Sequence, residues 1–137
     1  MALRRLLFHP AQLKTVAQRS SPVVQTARRS LSIPVNQVAR VMRMTVAGEP
    51  EAEKVDKIVN EMLPDLKGFD GFNSVTRHVC KTEWAYEVAV VFDGLENFKS
   101  YMESDKREEL IASHMGEIEK FAVDGNVYSG NRVHDNF

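Results

Sequence analysis

The side chains able to do chemistry in this chain are few: four histidines, three tyrosines, one tryptophan and one cysteine. Histidine changes charge near neutral pH, which makes His114 and His78 the candidate general bases. Arg77, Arg132 and Asn131 are candidate donors to an anionic or enolate oxygen, because preorganised donors act where charge develops. Trp84, Tyr86, Phe92, Tyr101 and Tyr128 can hold a flat aromatic substrate by stacking, the polar tips of the tyrosines and the tryptophan orienting it. The same aromatics serve equally as core and interface, His114 equally as a packed histidine, and the arginines equally as partners of surface carboxylates. His78 and Cys80 stand two residues apart, a spacing that suits a metal or thiol pair, yet two ligands do not make a metal site and none is assigned. HExxH, Walker, GxGxxG, CxxC and GxSxG patterns are absent, which removes the common metal, nucleotide and acyl-enzyme signatures.

These residues lie in a chain of 137 whose net charge of −1 hides an uneven distribution. Six of the eighteen basic residues and no acidic one fall within residues 1–32, leaving twelve basic against nineteen acidic residues for 33–137. The first segment, with Leu3, Leu6 and Leu7 beside Arg4 and Arg5, has the composition of an organellar presequence. Arg29-Ser30-Leu31-Ser32 resembles a mitochondrial processing site. A cleaved presequence over 1–32 and a matrix address are expected, with a chloroplast address as the alternative. The acidic body argues against nucleic acid and anionic membrane as partners, since both require clustered Lys and Arg. One cysteine excludes an internal disulfide, and no apolar run reaches the roughly 18 residues needed to span a bilayer.

From Ile33 the hydrophobic period reads strand, helix, strand, strand, helix, strand. Val38, Arg40, Met42, Met44 and Val46 alternate with Ala39, Val41, Arg43 and Thr45 up to Gly48. Val55, Ile58, Val59, Met62 and Leu63 then follow helical spacing after Pro50, until Pro64 disturbs the helix and Gly68-Phe69-Asp70-Gly71 ends it. Phe72 to Lys81 and Trp84 to Phe92 form a predicted hairpin about Thr82-Glu83. Asp93-Gly-Leu-Glu96 has the form of a capping box before a helix bearing Leu95, Phe98 and Met102. That helix is expected to break near Ser104-Asp105 and restart along Leu110, Ile111, Met115 and Ile118. Val127 to Val133 is a short final strand. Two βαβ-like halves with both helices on one face make a ferredoxin-like βαββαβ domain of the α+β class, residues 33–137. Its second hairpin strand is apolar on both faces, so a homodimer through the open sheet face is expected.

The order of elements, the Glu87–Phe98 run Glu-Val-Ala-Val-Val-Phe-Asp-Gly-Leu-Glu-Asn-Phe, the following Lys-Ser-Tyr-Met-Glu-Ser-Asp and the closing Asn131–Asp135 resemble the dimeric α+β barrel superfamily. Within it the antibiotic biosynthesis monooxygenase (ABM) family is most similar and the stress-responsive A/B barrel family second, over residues 38–135. The resemblance implies a barrel formed by two sheets, with a mostly apolar cavity between sheet and helices. Some relatives oxygenate phenolic or quinol substrates without metal or cofactor, some degrade haem, and many have no established activity. The haem-degrading branch implies an Asn at Met42, a Trp at Tyr101 and an axial His at Ile111. All three depart, and His114 lies one helical turn, about 4.5 Å, beyond Ile111. Neither haem nor any other cofactor is therefore expected.

Two readings stay open. In the first, the cavity binds a small aromatic or quinol-type ligand and oxygenates it, with His114 or His78 as base, Arg77 or Arg132 with Tyr128 as donors, and Trp84 with Phe92 as the wall. In the second, a non-catalytic dimer acts as a ligand-binding or accessory subunit of a larger mitochondrial assembly, and an interaction dimer of this kind can fill its interior with Trp84, Phe92, Met102 and Met115.

Overall fold

The computed structural model describes residues 33–137, so the expected presequence over 1–32 lies outside the described residues. Within Val35–Phe137 the elements are β1 (Gln37–Thr45), α1 (Glu49–Leu66), β2 (Phe72–Val79), β3 (Ala85–Asp93), α2 (Leu95–Glu103), α3 (Asp105–Glu119) and β4 (Tyr128–His134). The four strands form one antiparallel sheet in the order β2-β3-β1-β4, the ferredoxin-like arrangement with its second helix divided in two.

Alternation along β1 decides how this sheet is used. Val38, Met42 and Met44 join Tyr86, Val88 and Phe92 of β3 in the main core, where Ala52, Val55, Ile58, Met62 and Leu66 of α1 and Leu110 and Ile118 of α3 cover them. Phe92 is fully buried at the centre of an aromatic group, its ring centroid 4.4 Å from that of Tyr101 and 6.2 to 6.3 Å from those of Phe98 and Phe72. On the opposite face Ala39, Val41 and Val91 form a second buried cluster with Ala89, to which no described helix contributes.

Several local expectations changed in detail. α1 runs through Pro64 for two more residues and closes only afterwards, where Lys67 N–H donates to the Leu63 carbonyl at 2.9 Å. Pro64 lacks an N–H and so cannot make the helical bond to the carbonyl four residues back, but the apolar anchors Met62 and Leu66 on either side hold the last turn down. Asp93 does not cap α2. The cap position is Gly94, and the Asp93 carboxylate instead accepts from Gln37 Nε2 at 2.8 Å and Asn73 Nδ2 at 3.1 Å, tying together the strands on either side of it. Tyr101, rather than Leu95, joins Phe98 as a buried residue of α2.

The hairpin turn is also longer than the predicted two residues. It closes between Cys80 and Ala85, and Trp84 lies inside it at φ 57°, an uncommon conformation for a bulky residue. The break at Ser104 stands as expected. Ser104 is extended, and its hydroxyl accepts from the Lys106 and Arg107 N–H groups at 3.1 and 3.4 Å, starting α3 in a new direction.

Candidate functional site

Between the helix-facing side of the sheet and α1 and α3 lies a cavity of about 300 Å³. Its walls are apolar: Met42, Val88 and Val90 from the two central strands, Met62 and Leu66 from α1, Ile111, Met115 and Ile118 from α3. The polar groups that reach it are few, Arg40, Arg107, Tyr101, Ser129 and Glu119. A small apolar space with a handful of convergent polar groups is the usual form of a small-molecule site.

Arg40 enters because strand alternation puts it on the same side as Val38 and Met42. Its Nη1 donates to Asn131 Oδ1 at 2.9 Å, across the β1–β4 register that sets the two residues opposite one another. Burial, together with the nearby Arg107 guanidinium, pushes the Arg40 pKa below the ordinary arginine value, while Tyr101 acts in the opposite direction. Arg107 comes from the first turn of α3, held there by the Ser104 cap, and its guanidinium stands 5.3 Å from the Tyr101 ring centroid, a cation–π distance. Arg107 Nε is buried and, among the described residues, lacks a hydrogen-bond partner.

Of the residues expected from sequence to form the site, the structure brings only Tyr101 to this cavity. Phe92 is sealed in the core beneath it. Tyr86 is buried with its hydroxyl donating to Asp56 Oδ1 at 2.6 Å, and Arg77 Nη1 donates to Asp56 Oδ2 at 2.5 Å, so these two share one carboxylate of α1 in a groove beside β2. Burial and the bonded Asp56 carboxylate push the Tyr86 pKa well above that of a free tyrosine, and Arg77 offsets part of the rise.

Trp84 lies in the hairpin turn at the edge of the core. Tyr128 is more than half exposed on β4, and Arg132 folds over Gly130 with its Nη1 on the Asn131 carbonyl. His78 alternates onto the sheet face away from the helices, opposite Glu87, and Cys80 is exposed beyond the end of β2. His114, on α3 next to the cavity residue Met115, holds its Nδ1–H on the Leu110 carbonyl at 3.0 Å. A carbonyl can only accept, so Nε2 is left as the basic nitrogen. Among the described residues no group of three or more His, Cys, Asp or Glu side chains could hold a metal ion.

Arg40 and Arg107 are the two residues the sequence reading missed, and each left a signal. Arg40 is a charge set among Val38, Met42 and Met44 in an otherwise apolar alternation. Arg107 lies at helical spacing with Ile111, Met115 and Ile118. A charge in register with an apolar stripe is the pattern to look for.

No protein-family model matches the chain, and no curated protein shows a significant match. Solved structures do. A monooxygenase from the gene ActVA-Orf6 of Streptomyces coelicolor, in complex with nanaomycin D, is 17% identical with a TM-score of 0.58 over 75% of this chain and 90% of that one. A variant of SnoaB, a cofactor-independent oxygenase from Streptomyces nogalater, is 14% identical with a TM-score of 0.56 over 74% and 96%. A proposed antibiotic biosynthesis monooxygenase from Caulobacter crescentus is 14% identical with a TM-score of 0.53 over 74% and 92%. At such identities the likeness is one of fold, and the fold is the ABM-type α+β domain.

Proposed function

We propose that this protein is a homodimeric ABM-type barrel protein of the mitochondrial matrix whose cavity binds a small aromatic or quinol-type ligand. The observation that carries the proposal is the apolar space of about 300 Å³ between sheet and helices. An interaction dimer that filled its interior would have no such space. Here Phe92 packs in the core beneath the cavity, Trp84 lies at the edge of that core, and Met115 lines the cavity without closing it. Import is supported by the acid-free, Arg-rich composition of residues 1–32. Dimerisation is supported by the second apolar cluster, Ala39, Val41, Ala89 and Val91, on the sheet face that no described helix joins. Around it lie Arg43, Glu87 and the exposed Tyr128, an apolar centre with a polar rim.

A second reading, oxygenation of the bound ligand, is favoured by two guanidiniums facing the same cavity. A deprotonated quinol is electron-rich enough to reduce dioxygen itself, so the protein need supply only deprotonation, donors for the anion and a dry pocket. Arg40 and Arg107 are the donors at hand, and the candidate base is Nε2 of His114, which lies on α3 beside the cavity residue Met115 and outside the cavity lining. The S. nogalater and S. coelicolor proteins of the same fold are an oxygenase and a monooxygenase.

Titrating methyl-labelled protein with a reduced naphthoquinone tests both readings in one sample. Binding shifts the methyl signals of Met62, Val88, Ile111 and Met115 together, and leaves those of Ala39 and Val91 in place. Oxygen uptake above the probe's own autoxidation, reduced in Arg107→Gln, supports turnover. Saturating shifts with no extra uptake support binding alone, and unmoved cavity methyls end both readings.

A further inference from the structure

The charge pattern of the cavity says more than its shape. We propose that the natural ligand is an acid, a one- or two-ring apolar body whose carboxylate is gripped between Arg40 and Arg107. The inference rests on the cavity being a ligand site and names the chemistry of what occupies it.

The two arginines approach the same space from different layers, Arg40 from the central strand β1 and Arg107 from the first turn of α3. Like charges facing one apolar space repel and lose hydration, a cost met only by an opposite charge or by water. Among the described residues the ion pairs use Arg43, Arg77, Lys81 and Lys99 and neither of these two. Among the described residues Arg40 has a neutral amide as its side-chain partner, Arg107 has a ring face, and Arg107 Nε has no hydrogen-bond partner. Burial first, and the neighbouring Arg107 charge second, lower the Arg40 pKa, in the direction that this crowding of positive charge gives. Glu119, the one carboxylate that lines the cavity, is an exposed residue at the end of α3 and pairs with neither.

A carboxylate from outside answers each of these features. Its two oxygens match the fork of guanidinium N–H groups that includes Nε–H, and one negative charge relieves the repulsion between two positive ones. The walls set the rest of the molecule. Beyond the two arginines the lining is mostly Met, Leu, Val and Ile, which accept an apolar ring system, and Tyr101, Ser129 and Glu119 are the remaining polar residues. The size, at the low end of the roughly 300–1,000 Å³ range of ligand cavities, favours one or two rings over an extended lipid. Asn131 is a positioning residue, since its amide holds one arm of Arg40 and leaves the other to the ligand.

The test uses a matched pair of probes, 2-naphthoate and its neutral near-isostere 2-naphthamide, titrated calorimetrically into the full chain. Naphthoate is expected to bind at least tenfold more tightly than naphthamide. Arg40→Gln and Arg107→Gln should each remove most of that preference while naphthamide affinity stays within about twofold, which also shows that the variants are folded. Arg107→Lys keeps the charge but loses the fork and should retain only part of the preference. Equal binding of the two probes, or a preference that survives both Gln variants, overturns the acid while leaving the cavity as a ligand site. Binding of neither probe removes the cavity reading and this inference with it.

Discussion

Asp56 shows how one residue can draw apparent catalytic groups into a structural role. It accepts from Tyr86 and Arg77 together, which accounts for two of the aromatic and cationic residues that the sequence marked as site candidates. The arrangement has a pH signature. Folding raises the Tyr86 pKa above its value of about 10 in the unfolded chain. The folded state therefore holds the phenolic proton more tightly, and the stability this contributes is full below pH 10 and declines as pH rises beyond it. Tyr86→Phe should lose about 1 kcal/mol at pH 7 for the missing hydrogen bond and show a flatter decline above pH 10. Urea unfolding at pH 7, 9 and 10.5 reads both effects, and parallel curves for the two proteins would show that Tyr86 does not set the slope.

At the scale of elements the site depends on where α3 begins. Ser104 interrupts what would otherwise be one long helix, and its hydroxyl bonds the Arg107 N–H directly, so the cap and the placement of the guanidinium are one feature. Ser104→Ala is expected to cost about 1 kcal/mol of stability and to weaken naphthoate binding severalfold more than naphthamide binding. Equal weakening of both would mean that the cap supports the fold without aiming Arg107.

That break was legible in the sequence, as were the alternation of β1, the amphipathic face of α1 and the order of strands, because local period and turn chemistry fix them. The misreadings share a different cause. The pattern Asp93-x-x-Glu96 has the form of a capping box, yet Gln37 and Asn73 arrive from neighbouring strands and take the carboxylate first. Trp84 has the bulk of a strand residue, but the four-residue turn between Cys80 and Ala85 requires a positive φ at its position. The cavity itself joins Arg40 of β1 to Arg107 of α3, and that meeting is a property of the packed layers, not of either local pattern.

For the whole molecule, the sheet has two apolar faces and its described helices cover one. The proposed dimer uses the other face, an assembly that suits an acidic domain of about 100 residues, too small to bury a large core alone. Ala89→Arg, at the centre of that face and only partly buried in the single chain, should give a monomer of unchanged circular dichroism, read by light scattering at micromolar concentration. A dimer that persists in Ala89→Arg would place the interface elsewhere.

Occupancy of the cavity in the cell is the point on which address, assembly and chemistry meet. Native mass spectrometry of the protein taken gently from its own organelle reads it directly. The expected species is a dimer of chains beginning near Ser32 that carries the added mass of a small organic acid, lost when Met115→Trp fills the cavity. A bare dimer in both proteins, or a chain found only within a larger assembly with no added mass, would contradict a ligand-binding role and point to an accessory one.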